Sequence, residues 1–233
     1  VSAWSSADGA VSMVADMSAL SFAFDVAVDV DGNIYVVGKL RGSADIDPDP
    51  TNTISVNTSN REQGILHKLD SSGNLLWTFH AGKTSGLSRV HFMAVEVDAS
   101  GYVYVGAKWL GESSLGLGTT GAPSVTSTVE PSSPFRSTWD AQIIKISPTG
   151  GLEWHKEWGG GGHDSLTDIA LGPEGNIHAV GWIQMKGNID PNGDSVIDPR
   201  ANTKAAYIVK LDPGGGTIFA KGWGIDSLST GNV

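Results

Sequence analysis

The sequence contains no cysteine. It therefore has no disulfide staple and no thiolate metal site, and its stability must come from packing. Charge is also scarce, at 17% of residues, and what there is leans acidic, with 15 Lys and Arg against 25 Asp and Glu. A net charge of −10 argues against a surface for nucleic acid or anionic lipid, which would need clustered Lys and Arg. No apolar run approaches the ~18 residues of a membrane span, so membrane insertion is not expected. The chain starts at Val1 with no signal-peptide pattern, which reads as a mature or excised piece. Glycine, by contrast, is abundant at 31 residues. That suits many short strands and tight turns in one domain of 233 residues.

Two phrases alternate along the chain. The first reads DVAVDVDGNIYVVG (Asp25 to Gly38), MAVEVDASGYVYVGA (Met93 to Ala107) and DIALGPEGNIHAVG (Asp168 to Gly181). The second reads ILHKLDSSGNLLWTFHAG (Ile65 to Gly82), IIKISPTGGLEWHKEWGG (Ile143 to Gly160) and IVKLDPGGGTIFAKGWG (Ile208 to Gly224). Lys68, Lys145 and Lys210 align, as do Gly82, Gly159 and Gly224, and Trp77 and Trp154 align with Phe219. The period is roughly 65 to 77 residues, which points to a propeller, solenoid or array. The divisions are an N-terminal strand and connector (1–24), repeats over 25–82, 92–160 and 168–224, and a tail (225–233).

Each repeat carries four strand signals. In the first they are the alternating Val26, Val28 and Val30, then Ile34 to Val37, Ile65 to Leu69, and Leu75 to Phe79. The middle two are apolar on both faces and so need cover on both faces. DVDGN and DSSGN supply tight turns with Gly where a positive φ costs little. Antiparallel hairpins put both short turns at one end and the long connections at the other, where function usually sits. The expected fold is all-β: a propeller-like array of three four-stranded antiparallel blades, forming a partial ring or one completed by other copies. An open stack of sheets is the alternative. Closed propellers hold ~4 to 8 blades, so three would leave two apolar end faces. Trp4 in VSAW fits the last strand of a preceding blade.

These phrases resemble the bacterial SBBP repeats, a family named for a seven-bladed β-propeller. ADIDPDP (Ala44 to Pro50) and GNIDPNG (Gly187 to Gly193) resemble the Asp-Pro element between that family's two phrases, while GESSLGLGTTG (Gly111 to Gly121) lacks it. The resemblance spans about Asp25 to Gly224. It implies a secreted or cell-surface module, commonly part of a larger chain, with no defined catalytic residues. KLDSSGNLLW also resembles the Trp-docking repeats of quinoprotein propellers, but Asp70 to Trp77 is one residue short of that spacing.

Candidate sites are few. Asp45, Asp47 and Asp49, and Asn188, Asp190, Asn192 and Asp194, place oxygens at alternate positions. They suit either Ca²⁺, which takes 6 to 8 oxygen ligands, or Asp-Pro turns whose carboxylates bond local amides. Trp109, Trp139 and Trp182 begin or end long connections and are candidates to stack on a sugar or a partner. His67 and His178 occupy packed strand positions, and His163 beside Asp164 has no third partner for catalysis. The GGGG run at 159–162 lacks the Lys-Ser/Thr of a phosphate loop and reads as a flexible connector. The function expected first is a non-catalytic structural or adhesion module that joins copies of itself or further blades. A glycan-binding lectin comes second and a fragment of a propeller enzyme third.

Overall fold

The computed structural model describes residues 20–49, 51–111, 113–117, 125–127, 138–193, 195–199 and 203–224. Trp4, most of the expected N-terminal strand, Asp194 and the 225–233 tail lie outside them. Among the described residues there is no helix, and every named strand pairing is antiparallel.

The first repeat forms β1 (Leu20–Val28), β2 (Ile34–Arg41), β3 (Ser43–Asp45), β4 (Ser55–Asn57), β5 (Gln63–Leu69) and β6 (Leu75–Gly82). The second forms β7 (Ser88–Val97), β8 (Val103–Gly111), β9 (Ser113–Leu117), β10 (Val125–Ser127), β11 (Trp139–Ile146) and β12 (Leu152–Gly160). The third forms β13 (Asp164–Leu171), β14 (Ile177–Gln184), β15 (Gly187–Asn188), β16 (Val196–Ile197), β17 (Lys204–Leu211) and β18 (Thr217–Trp223). Four strands of each repeat make a meander: β1-β2-β5-β6, β7-β8-β11-β12 and β13-β14-β17-β18.

Local chemistry explains why the meanders match. In the first turn, Asp29 Oδ1 accepts the amides of Asp31 and Asn33, and Gly32 takes φ +82°. Asp70 with Gly73, Asp98 with Gly101, and Asp212 with Gly215 repeat that geometry. This is the three-residue hairpin loop that ends in a left-handed glycine. Bulges also recur in register, at Ala23/Asp25, Phe92/Ala94 and Leu166/Asp168. They sharpen the strand twist at the same level in every sheet.

Each core layer lies between successive sheets. Tyr35, Val37, Leu66 and Phe79 of the first sheet meet Val95, Val103, Val105 and Ile144 of the second. Tyr104, Ile143 and Trp158 of the second meet Ile169, Ile177 and Val209 of the third. Strands greasy on both faces are therefore buried on both, as expected for the middle sheet.

The outer sheets differ. Val26 is 57% exposed, while Val95 and Ile169, at the same position, are 3% and 4%. Trp223 is 54% exposed, while its counterpart Trp158 is 5%. A small third cluster of Leu40, Ile46 and Ile65 sits on the outward face of the first sheet, beneath the β3-β4 hairpin.

The GGGG run departs from the expected slack connector. Gly159 and Gly160 belong to β12, and a side chain at Gly159, Gly160 or Gly162 would strike Asp140, Lys186 or Gln184 respectively. Only Gly161 has open space around it. The glycines are there for close approach of chains rather than for flexibility.

Candidate functional site

At the end of the sheets where the long connections begin and end, the strands of the second and third sheets frame a cleft of about 280 Å³, lined by Lys108, Trp139, His163, Asp164, Trp182 and Lys204 among others. Strand register places each group. Lys108 on β8 pairs across to Ala141 of β11, two residues after Trp139, and Trp182 on β14 pairs with Ala206, two after Lys204. Lys108 Nζ lies 5.1 Å from the centre of the Trp139 ring, and Lys204 Nζ lies 3.3 Å from that of Trp182. His163 Nδ1 accepts the Trp139 amide at 3.3 Å. Burial, with Lys39 and Lys204 nearby, holds the Lys108 ammonium below its ordinary pKa.

Beneath the cleft lie two carboxyl groups, Asp164 buried and Asp140 half-buried. Asp164 Oδ2 accepts the Gly160 amide at 2.6 Å and its Oδ1 the Gln184 amide at 2.8 Å. Burial still pushes Asp164 up, to about 7. Burial pushes Asp140 up to about 8, helped by the charges of Asp164 and Glu157. Like charges in a desolvated site oppose double ionisation, so both groups favour the protonated form to higher pH than an ordinary aspartate. Ser165 Oγ is engaged with the Leu166 carbonyl at 3.0 Å. What the cleft presents is two half-buried indoles and two ammonium groups, which suit stacking and anion contact.

The same level of the first junction is filled instead. Lys39 Nζ reaches Glu62 Oε1 at 2.8 Å, and His91 Nε2 lies 3.2 Å from Glu62 Oε2. Burial drives His91 down to about 4, so it meets Glu62 as a neutral hydrogen-bond partner at pH 7. Burial works to raise Glu62, but its bonds to Lys39 and His91 win and hold it below the ordinary value. The His91 ring sits 4.6 Å from that of Trp139 and links the two junctions.

A central groove of about 390 Å³ runs along β1, β7 and β13. Asp25, Glu96 and Asp168 line it, and burial, then the charges of the two aspartates, raises Glu96. Asp25 Oδ2 accepts the Val95 amide at 2.9 Å and so ties the first sheet to the second.

The acidic loops form chains of side-chain-capped turns. Asp45 accepts the amides of Asp47 and Ile54, Asp47 that of Asp49, and Asp49 that of Thr51, at 2.8 to 3.1 Å. Asn188 accepts the amide of Asp190, and Asp190 that of Asn192, both at 2.9 Å. Asn192 Oδ1 takes the Lys156 ammonium at 2.7 Å. Among the described residues, no three His, Cys, Asp or Glu side chains gather around a metal-sized space.

Of the three tryptophans singled out, Trp139 and Trp182 meet in the cleft. Trp109 does not: it is 2% exposed and packed among the residues between the first two sheets. The long connection starts later than the sequence suggests, because β8 runs on to Gly111 and carries Trp109 into the core. Sequence reasoning missed Lys108, Lys204 and the Asp140–Asp164 pair. Lys39 and Lys108 hold one position of the repeat and Trp182 takes it in the third, a signal in the sequence that points to Lys108.

No family model matches the chain, and no curated protein matches it.

Proposed function

We propose that the chain is a non-catalytic structural or adhesion module of a secreted or surface protein. In this reading its three sheets are blades of a propeller-like array that is completed by further copies of the chain. One observation carries it. Positions buried at the internal junctions, such as Val95 and Trp158, are exposed at the ends, as Val26 and Trp223. Apolar end faces of stacked sheets call for partners. Two copies would supply six blades, within the ~4 to 8 of closed propellers. The resemblance to SBBP repeats supports a place outside the cell. The test is the native mass of this chain by light scattering over a wide concentration range. A dimer or a growing series of species supports the reading, and a monomer throughout overturns it.

A second reading, a glycan-binding lectin, is favoured by the Trp139–Trp182 cleft. Indole faces stack on sugar rings, and Lys108 and Lys204 would favour sugars that carry carboxylate or sulfate. Tryptophan fluorescence titrated with neutral and acidic oligosaccharides tests it. A saturable change that Trp182→Ala removes supports the lectin, and no change with any sugar sinks it.

A further inference from the structure

The first junction carries an anion of its own where the second has none. There the Glu62 carboxylate is met by Lys39 Nζ at 2.8 Å, His91 Nε2 at 3.2 Å and Arg89 Nε at 3.7 Å. Strand register puts Lys108, Trp139, His163 and Ser165 in the places of Lys39, Glu62, Arg89 and His91. At the second junction the lysine is thus kept and an indole stands for the carboxylate. The third repeat adds another ammonium group, because Lys204 takes the place of Glu62 in its own sheet.

Both ammonium groups line the cleft, and among the described residues neither has a carboxylate within ion-pair distance. Each is held against an indole, Lys108 by Trp139 and Lys204 by Trp182. His163 adds a third donor. Its Nδ1 accepts the Trp139 amide, so the neutral ring carries its proton on Nε2. Among the described residues that line the cleft, Asp164 is the one carboxyl group. Each of its oxygens is engaged by a backbone amide, and burial favours its neutral form. The cleft therefore offers cationic donors without a counterion. The two half-buried indoles give it apolar walls, which suit the C–H face of a sugar ring. An acidic side chain has no such face.

We propose that the cleft takes a uronate residue of an acidic glycan, with the sugar carboxylate on Lys108 in the part that Glu62 plays for Lys39. This rests on the lectin reading above and names its ligand class. The first junction favours a carboxylate over a sulfate. Glu62 turns one oxygen to Lys39 and the other to His91 across the junction, a planar bridge of two oxygens. A sulfate brings a third oxygen that has no counterpart there. Lys108 is half-buried and carries most of the preference, while solvent screens the exposed Lys204.

The test is calorimetric titration of the full chain with oligogalacturonate and oligoglucuronate, each beside its methyl ester, which keeps the ring and removes the charge. A sulfated oligosaccharide and oligoglutamate complete the panel. At least one uronate should bind roughly 10-fold or more tightly than its ester. In Lys108→Gln that preference should vanish while the affinity for the ester stays the same. If Lys108→Gln does not fold, Lys204→Gln takes its place and should narrow the preference roughly 2- to 3-fold, and no narrowing overturns the proposal. Acid and ester bound alike, or a sulfated sugar bound more tightly than either uronate, overturns the uronate assignment while the lectin reading stands. An equal loss for acid and ester in Lys108→Gln does the same, since Lys108 would then act on the shape of the cleft alone. Oligoglutamate bound without any sugar, or no binding at all, overturns both.

Discussion

The two junctions between sheets use equivalent strands in equivalent register and fill them differently. At the first, Lys39, Glu62 and His91 close the long-connection end with a partly buried ion pair and a hydrogen bond. At the second, Lys108, Trp139 and Ser165 hold the same places, and a cleft remains over two protonatable carboxyl groups. Backbone repetition therefore decides where a junction can carry chemistry, and side-chain identity decides whether it does.

The strongest way to sharpen the comparison is to empty the second junction. Trp158→Ala removes a ring packed edge-on against Tyr207 at 5.9 Å, and should cost about 3–5 kcal/mol in urea unfolding. Trp223→Ala, at the matching but exposed position, should cost less than about 1 kcal/mol at concentrations where the chain is monomeric. Equal losses would mean that Trp223 is buried in solution.

The carboxyl pair gives a pH signature that the first junction lacks. Its folded pKa values lie above those of an unfolded chain, so the native state binds more protons through roughly pH 4 to 8. That contribution is whole at the acid end of the window and is lost as pH rises. Asp140→Asn should therefore stabilise the protein by roughly 1–3 kcal/mol at pH 8.5 and leave it almost unchanged near pH 4. Thermal midpoints at the two pH values check this, and a gain of equal size at both would mean that the Asp140 carboxyl is not raised.

At the first junction, Glu62→Gln keeps the shape but removes the charge facing Lys39, and should cost about 1–2 kcal/mol at pH 7. No loss in thermal melts would mean that solvent screens the pair. The smallest effect is expected away from both junctions. The acidic loops already spend their oxygens on local amides, so millimolar Ca²⁺ or a chelator should move the thermal midpoint by less than about 1 °C. A rise of several degrees with Ca²⁺ would show that the loops rearrange around the ion.

Much of the scaffold could be read in advance, because glycine turns and doubly apolar strands are local signals. Gly32, Gly73, Gly150 and Gly215 mark their hairpins by residue type alone. The cross-repeat pairing of β9 and β15 was not legible. Two to five residues such as Gly187–Asn188 carry no periodicity, and their partners lie in another repeat. Trp109 was misplaced for a related reason: strand ends are set by register with β11, where Trp139 opposes Leu110. The cleft was half visible, since Trp139 and Trp182 stood out by type, while Lys108 and Lys204 join them only through packing.

The hand-over of β9 and β15 to the preceding sheets makes the boundary of a repeat in sequence differ from its boundary in stability. Cutting the chain at 83–87 would strip β6 of its outer neighbour and expose the Gly150 turn that Trp77 covers. Neighbouring repeats should therefore open together rather than singly. Hydrogen exchange would report the amides of β6 and β9 with a common protection factor, and β18 as the first of the long strands to fray.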